Sequence, residues 1–331
     1  MITSDQLTRF YAALHNQVAR SFFFRTITDQ IINAIPAFSS DPSILSETDI
    51  AKKTHVFVDR LLELVDLTQS SPETLLDHLI TLGFWHSPRH SIWFSSYVDA
   101  LKNSFARDDM YRSNLLFPYL KGTSLVDIGC GSGRLTTYFR DSYRSSLRRV
   151  AGIDVHNFLS PGSDLEFYEA DFSLPGQSVS QKFDTGLLLH VLHHVGAEDQ
   201  TVSTFLKGVR SVVTNRLLVV EDIQISTEDL AIPLPGIEAL LRRVTHEPIL
   251  GRYSALDRHT QKDVLALFDV ICNPLYFAAK EMEFPFGYRS ISGWKQRFES
   301  NGFGLKEVYV YGFQPDRFYE SCYALFVLDV K

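Results

Sequence analysis

The chain has 331 residues, of which 45% are apolar and 21% are charged, and its formal net charge is −7 with neutral histidines. This composition is typical of a globular protein with one large or two ordinary domains, and it argues against a disordered chain or a small disulfide scaffold. The acidic balance lacks the overall positive charge of most nucleic-acid-binding proteins, so we expect no nucleic-acid partner.

The three cysteines, Cys130, Cys272 and Cys322, are widely separated and show no metal-ligand spacing. They indicate neither a disulfide framework nor a structural zinc site, and their simplest interpretation is as thiols in a reducing compartment. No run of about 18 apolar residues predicts a membrane span, and the N-terminus lacks the pattern of a secretory signal. We therefore expect a cytoplasmic protein.

Residues 1–115 show helical spacing of apolar residues, which predicts an N-terminal, mostly helical domain. Within it, residues 49–93 read as short helices followed by two short strands around a turn, the outline of a winged helix. An irregular helical cap explains this pattern equally well. Residues 70–82 contain no Lys or Arg, so we do not expect a DNA recognition helix there.

From residue 116 onwards predicted strands alternate with predicted helices, and residues 224–290 form a partly helical insertion. Such alternation is typical of a parallel sheet with helices on both faces. We predict an α/β domain over residues 116–331 with a doubly wound, mainly parallel, seven-stranded sheet. The predicted strands are 124–129, 149–155, 165–172, 183–192, 216–223, 305–312 and 321–330, and the predicted helices are 134–143, 198–213 and 292–301.

A glycine-rich stretch, LVDIGCGSG at residues 125–133, joins the first predicted strand to a helix. Glycines permit a tight turn and a close approach of the backbone to a ligand, and the helix start presents unpaired N–H groups. The spacing of Gly129, Gly131 and Gly133 is GxGxG, which differs from the GxGxxG of dinucleotide-binding loops. Asp127 lies two residues before the first glycine, where a carboxylate suits an ammonium group better than a pyrophosphate.

Two further carboxylates end the next two predicted strands. Asp154 ends the second strand, where it can accept hydrogen bonds from ribose hydroxyls. Asp171 ends the third strand within reach of an adenine amino group, and Phe172 follows it against the ring. The sequence thus indicates a cofactor with an amine, a ribose and an adenine. The alternative for Asp127, Asp154 and Asp171 is a structural role in capping a helix or a turn.

Five segments in this order resemble the class I S-adenosylmethionine (SAM)-dependent methyltransferases, most closely the two-domain small-molecule O-methyltransferases. They are VDIGCGSG (126–133), VAGIDV (150–155), FYEADFS (167–173), FDTGLLLHVLHHV (183–195) and LLVVEDI (217–223). The resemblance implies a Rossmann-like methyltransferase fold, SAM as cofactor and S-adenosylhomocysteine as product. It implies cofactor binding by Asp127, Gly129, Cys130, Gly131, Ser132, Gly133, Asp154, Val155, Asp171, Phe172 and His190. Asp127 and His190 would then lie near the methionine moiety.

Some enzymes of this family use a histidine to remove the acceptor proton, and His193 is the best match here. Imidazole titrates near pH 6.5, so it can accept a proton at neutral pH. Alternatively, the side chains of this LHH segment bridge the sheet and the following helix. We expect His194, Glu221 and Asp222 to bind the substrate at the same sheet edge, or to act as caps. Asp222 with Asp171 and a histidine would suffice for a metal, but no ligand spacing demands one, so we predict none.

The sequence therefore predicts transfer of a methyl group from SAM to a small-molecule acceptor, at oxygen, by in-line displacement. Two alternatives stay open: a methyltransferase that acts on RNA or protein, and a non-catalytic SAM-binding protein that regulates or activates a partner. The resemblance also implies a homodimer formed through the N-terminal domain.

Overall fold

The structure, a computed structural model, describes residues 3–38, 98–225, 247–277, 283–313 and 320–331, together with the single positions 63 and 74. Apart from those two positions, the winged helix predicted at residues 49–93 lies outside the described residues. The described ranges include the glycine loop and all seven strands predicted from residue 116 onwards.

A mixed sheet forms the centre of the described chain. Its strands are β1 (Ser124–Ile128), β2 (Arg149–Asp154), β3 (Glu166–Glu169), β4 (Phe183–Leu189), β5 (Val213–Gln224), β6 (Arg289–Ser290), β7 (Phe303–Val310) and β8 (Tyr323–Val330). Their order is β3-β2-β1-β4-β5-β8-β7, and the short β6 pairs with the end of β5. β1 to β5 run parallel, whereas β8 is antiparallel to both β5 and β7. The predicted α/β class with a mainly parallel sheet is confirmed.

Two strands differ most in length from the prediction. β3 has only four residues because it lies at the sheet edge, where β2 is its single neighbour and their pairing ends at Asp154 and Glu169. β5 is longer than predicted, since it begins at Val213 directly after a helix and runs for twelve residues. Its apolar run is buried between β4 and β8, which explains why hydrophobicity alone predicted it.

Helices flank this sheet and occupy the predicted insertion. They are α1 (Ser4–His15), α2 (Gln17–Phe38), α3 (Val98–Leu116), α4 (Arg134–Ser142), α5 (Leu192–Val195), α6 (Asp199–Val212), α7 (Glu247–Ser254), α8 (Arg258–Phe277) and α9 (Ile291–Ser300). α6 shows the physical reason for the helical pattern: its buried side chains recur every three or four residues and so form one apolar face. None of the described helices is long and apolar enough to cross a lipid bilayer.

The N-terminal helices share a hydrophobic core with the insertion and the sheet. The ring of Phe23 on α2 packs edge-on against Phe268 on α8, with ring centroids 4.8 Å apart. Between α1 and α2, Asn16 Nδ2 donates a hydrogen bond to Asp263 Oδ2 on α8 at 2.8 Å. The predicted boundary at residue 115 falls in the last turn of α3, and the division into two domains stays a prediction.

The sheet order creates a crevice at the carboxyl ends of the parallel strands. The chain proceeds from β1 through β2 to β3 on one side and then returns to place β4 on the other side of β1. Such a switch point leaves room between the loops that follow the neighbouring strands, and ligands of doubly wound proteins bind there. The loops after β1, β2 and β4, together with the end of β5, therefore define the candidate site.

Candidate active site

The glycine loop after β1 is folded tightly against β2. The backbone N–H groups of Gly129 and Cys130 both donate to the carbonyl oxygen of Ile153, at 2.7 and 3.2 Å. Gly129 has φ +79°, and a Cβ placed there would lie 2.4 Å from Val191 Cγ2. A side chain is therefore excluded by backbone conformation and by space, and the loop stays thin where a ligand must approach.

Gly129→Ala is expected to destabilise the protein by about 3 kcal/mol or more, because it combines a left-handed backbone with a steric overlap. Gly176→Ala is the matched control: Gly176 has φ +84° with nothing near the added methyl group, so only the conformational cost of about 1–2 kcal/mol applies. Urea unfolding of both variants measures the difference. Equal decreases in the free energy of unfolding would show that the Val191 side chain moves aside at little cost and that its close approach to Gly129 is unimportant.

Asp127, near the end of β1, is a buried carboxylate at the centre of the crevice. Only 4% of the residue is exposed, and its Oδ2 accepts a hydrogen bond from Thr136 Oγ1 at 2.6 Å. Burial, together with the negative charge of Asp154, raises the pKa of Asp127 to about 6, although the bond from Thr136 acts in the opposite direction. The position therefore favours a cationic ligand.

Asp154, at the end of β2, clamps the glycine loop. Its Oδ2 accepts from the Gly131 N–H at 2.7 Å, and its Oδ1 accepts from the Val155 N–H at 2.7 Å. Burial raises the pKa of Asp154, and the same cause raises the pKa of the Cys130 thiol. Cys130 is thus a neutral thiol within the loop. The predicted hydrogen bonds from Asp154 to a ribose stay a prediction.

The residues after β3 divide between the crevice and the core. Asp171 Oδ1 accepts from the backbone N–H of Ser173 at 2.9 Å and from its hydroxyl at 2.5 Å, which closes a turn. Phe172 is only 2% exposed, and its ring packs against Phe205 and Gly208 of α6. This placement disfavours the predicted stacking of Phe172 on an adenine ring. Val155, by contrast, is 43% exposed beside Asp154.

His190 follows β4 with a strained backbone, at φ +56°. Its Nδ1 lies 3.3 Å from Asp222 Oδ1, and Asp222 Oδ1 also accepts from the Ser321 hydroxyl at 2.5 Å. His190 Nε2 is buried and has no hydrogen-bond partner among the described residues. A buried polar atom without a partner in the protein is an expected point of ligand contact.

His193 lies deeper than the predicted role of general base suggests. It is 2% exposed, and its Nδ1 contacts Glu221 Oε1. Burial by itself would lower the pKa of His193, but the facing carboxylates of Glu221 and Asp269 outweigh burial and hold the pKa well above 6.5. Glu221 also accepts from the backbone N–H of Leu192 at 2.8 Å, so it orients the start of α5. The general-base role stays a prediction.

His194 contacts residues that the sequence pattern did not identify. Its Nδ1 lies 2.7 Å from the carbonyl oxygen of Glu283, and its Nε2 lies 3.4 Å from Asp269 Oδ1. Asp269 Oδ2 accepts a hydrogen bond from the Tyr288 hydroxyl at 2.8 Å. The one indication in the sequence that Asp269 has a special environment was its position as an isolated acidic residue in the apolar stretch VLALFDVI of α8.

The structure therefore brings most of the predicted residues to one edge of the sheet. Asp127, Asp154 and the glycine loop line the β1–β2 side, where a carboxylate, backbone N–H groups and glycines meet. The histidines and Asp222 line the β4–β5 side. Chemically, the β1–β2 side suits a cationic ligand with hydroxyl groups. The β4–β5 side suits a group that donates or accepts hydrogen bonds.

Comparison with known proteins gives one family match and several similar solved structures. Residues 126–216 match the family described as methyltransferase domain. Among solved structures, the chain is similar to a SAM-dependent methyltransferase from Methanosarcina mazei, at 18% identity and a TM-score of 0.40, over 65% of this chain and 96% of that chain. A comparison with curated proteins finds no match.

Two further similar structures name small-molecule acceptors. Magnesium protoporphyrin IX methyltransferase from Synechocystis PCC 6803 is 14% identical, with a TM-score of 0.38 and coverage of 72% of this chain and 88% of that chain. The 1,6-didemethyltoxoflavin-N1-methyltransferase from Burkholderia thailandensis is 16% identical, with a TM-score of 0.38 and coverage of 70% and 86%.

Proposed function

We propose that this chain, a class I SAM-dependent methyltransferase, transfers the methyl group of SAM to an oxygen atom of a small-molecule acceptor. The observation that carries it is His190, whose Nδ1 faces Asp222 and whose buried Nε2 has no partner among the described residues.

The hydrogen-bonding state of His190 follows from its neighbour. The Asp222 carboxylate can only accept hydrogen bonds, so a neutral His190 carries its proton on Nδ1 and leaves a lone pair on Nε2. An acceptor hydroxyl would donate its hydrogen bond to this lone pair. The ammonium group of SAM, which the resemblance places near His190, is the other donor that fits.

The remaining residues position the reactants. SAM supplies a methyl group already activated on a sulfonium, so the protein has only to orient the two reactants and exclude water. We assign the cationic methionine moiety to the side of Asp127, the ribose to Asp154 and the adenine amino group to Asp171 Oδ2. The predicted homodimer and the cytoplasmic location stay predictions.

Incubation with SAM that carries a labelled methyl group, against a panel of phenols, carboxylic acids and amines, tests the acceptor class. We expect label in oxygen acceptors, recovered as ethers from phenols or esters from acids, and in phenols above all, because a phenol hydroxyl can donate to His190 Nε2. Label found only in amines would contradict transfer to oxygen. Calorimetric titration with SAM, run in parallel, separates a wrong acceptor class from a failure to bind the cofactor.

His190→Ala distinguishes the two donors that fit Nε2. If the acceptor hydroxyl is the partner, kcat/KM for the acceptor falls at least about tenfold while the Kd for SAM is unchanged, since one buried hydrogen bond is lost. If the ammonium group is the partner, the Kd for SAM rises instead.

A further inference from the structure

We propose that His193, His194 and Asp269 bind one divalent transition-metal ion of the Zn²⁺ type on the β4–β5 side of the crevice. The proposal concerns a site other than the cofactor site, and it does not depend on the acceptor being an oxygen. The potential ligand atoms, the imidazole nitrogens and a carboxylate oxygen, all lie within 4.8 Å of one another.

The distances in this cluster suit ligands of a common ion. His194 Nε2 lies 3.4 Å from Asp269 Oδ1, and His193 Nε2 lies 3.7 Å from Asp269 Oδ2. Hydrogen bonds from nitrogen to oxygen are normally 2.7–3.2 Å long. Two atoms that each bind one zinc ion at about 2.1 Å in tetrahedral geometry are about 3.4 Å apart. Each of these separations, which go to different oxygens of Asp269, is therefore too long for a good hydrogen bond and close to the spacing of two ligands of one ion.

Hydrogen bonds to neighbouring groups already orient all three side chains. Nδ1 of His193 contacts Glu221, and Nδ1 of His194 lies 2.7 Å from the Glu283 carbonyl oxygen, so each ring directs Nε2 towards Asp269. Asp269 itself accepts hydrogen bonds from the Tyr288 hydroxyl at 2.8 Å and from Asn273 Nδ2 at 2.5 Å. Metal-binding histidines and carboxylates are typically oriented in this way by a carboxylate, a backbone carbonyl or a hydrogen-bond donor.

The buried carboxylates around the cluster also favour the binding of a cation. Glu221, Asp222 and Asp269 are each less than 8% exposed. Among the described residues, their ion-pair partners are histidines and not Lys or Arg. Buried carboxylates are costly unless they are paired or bind a metal. Asp222 Oδ2 lies 3.8 Å from His193 Nε2 and adds to the buried negative charge around this imidazole.

The ligand set selects the kind of ion. Two imidazoles with one carboxylate favour Zn²⁺ and its first-row neighbours, whereas Mg²⁺ and Ca²⁺ prefer all-oxygen sites. The ion would link α5, which follows β4, to α8 and to residues 283–288. It would thereby hold the described part of the insertion against the end of the sheet. A metal-bound Nε2 has no free lone pair for a proton, so this role is an alternative to the general-base role predicted for His193.

Metal binding to the full-length, tag-free protein after chelator treatment tests the proposal. We expect calorimetry with Zn²⁺ to give one site, and Co²⁺ to produce visible absorption bands that Zn²⁺ abolishes. Asp269→Asn and His194→Ala should each weaken Zn²⁺ binding at least about 100-fold, because each removes a ligand. His259→Ala is the control with unchanged binding, since His259 is 80% exposed on the outer surface of α8.

Two further measurements keep the test decisive. The Kd for SAM, measured on the same samples, shows whether a variant that loses metal still forms the cofactor site. X-ray absorption of the zinc-loaded wild-type protein should show two imidazole ligands and no sulfur, and this needs no variant. Absence of Zn²⁺ and Co²⁺ binding, retention of binding in both ligand variants, or a sulfur-containing ligand shell would each overturn the proposal.

Discussion

Asp154→Ala is expected to weaken SAM binding by about 100-fold or more, while the protein keeps its fold. The substitution removes the acceptor of the Gly131 and Val155 N–H bonds, each 2.7 Å long, and with it the predicted acceptor for the ribose hydroxyls. Hydrogen bonds to a charged group contribute about 1.5–3 kcal/mol each, and 1.4 kcal/mol corresponds to a factor of ten in Kd. The loss of two predicted hydrogen bonds from the ribose hydroxyls to this carboxylate therefore gives an effect of this size.

Calorimetric titration with SAM and with S-adenosylhomocysteine measures the change. Asp164→Ala is the matched control, because its carboxyl is 85% exposed, pairs with Arg140 and lies in the same β2–β3 connection. Far-UV circular dichroism checks the fold of both variants. An Asp154→Ala variant that binds SAM as tightly as the wild-type protein would refute the cofactor role of this carboxylate.

Asp127→Asn is expected to raise the free energy of unfolding at neutral pH and at the same time to weaken SAM binding. In the wild-type protein, burial raises the pKa of Asp127 from its ordinary 3.8 to about 6, so the carboxylate is ionised at neutral pH at a cost to the folded state. A difference of this size between folded and unfolded pKa values corresponds to about 3 kcal/mol. Asparagine has the same shape and no charge to bury, and it can still accept from the Thr136 hydroxyl.

The sign of the pH dependence follows from this shift. Because the pKa of Asp127 is higher in the folded state, its contribution favours folding below about pH 4 and is lost as the pH rises through about 6. Asp127→Asn should therefore raise the free energy of unfolding at pH 7.5, by up to about 3 kcal/mol, and change it little at pH 4. Urea unfolding of both proteins at the two pH values measures this difference.

The same substitution should weaken SAM binding, since a cationic methionine moiety loses the facing carboxylate. In the wild-type protein, the Kd for SAM should rise up to tenfold for each pH unit below about 6, because binding must then displace a proton from Asp127. In Asp127→Asn this part of the pH dependence should disappear. A variant that is less stable at pH 7.5, or that keeps the wild-type pH profile, would contradict the assigned role.

The geometry of the β1–β2 side of the site was predictable because its residues lie in consecutive strand–loop–helix units. Asp127 and the glycines follow one strand, and Asp154 ends the next. Since β1 and β2 are neighbours in a parallel sheet, their ends meet at one edge, and the bond from Gly131 N–H to Asp154 follows from that pairing. The positive φ angles of the glycines are a local requirement that the residue type itself reveals.

The direction of single side chains was less predictable. Phe172 follows a strand in the same way as Asp171, and the strand pattern predicted both in the crevice. In the structure the ring of Phe172 turns towards α6, where Gly208 leaves space for it, because an added methyl group there would lie 2.8 Å from Phe172 Cβ. The outcome depends on how α6 packs against the edge strand β3, and no spacing within residues 165–176 records that packing.

Local sequence patterns were enough to predict the α/β class, the positions of the strands along the chain and the glycine loop after the first strand. These features depend on apolar periodicity and on glycine backbone freedom, which are properties of neighbouring residues. The contacts of His193 and His194 with Asp269 and Tyr288, which lie far from them along the chain, follow from the tertiary fold and from no local pattern. These contacts depend on how α8 packs against the end of β4. Such packing is the sum of many weak contacts, so no short motif specifies it.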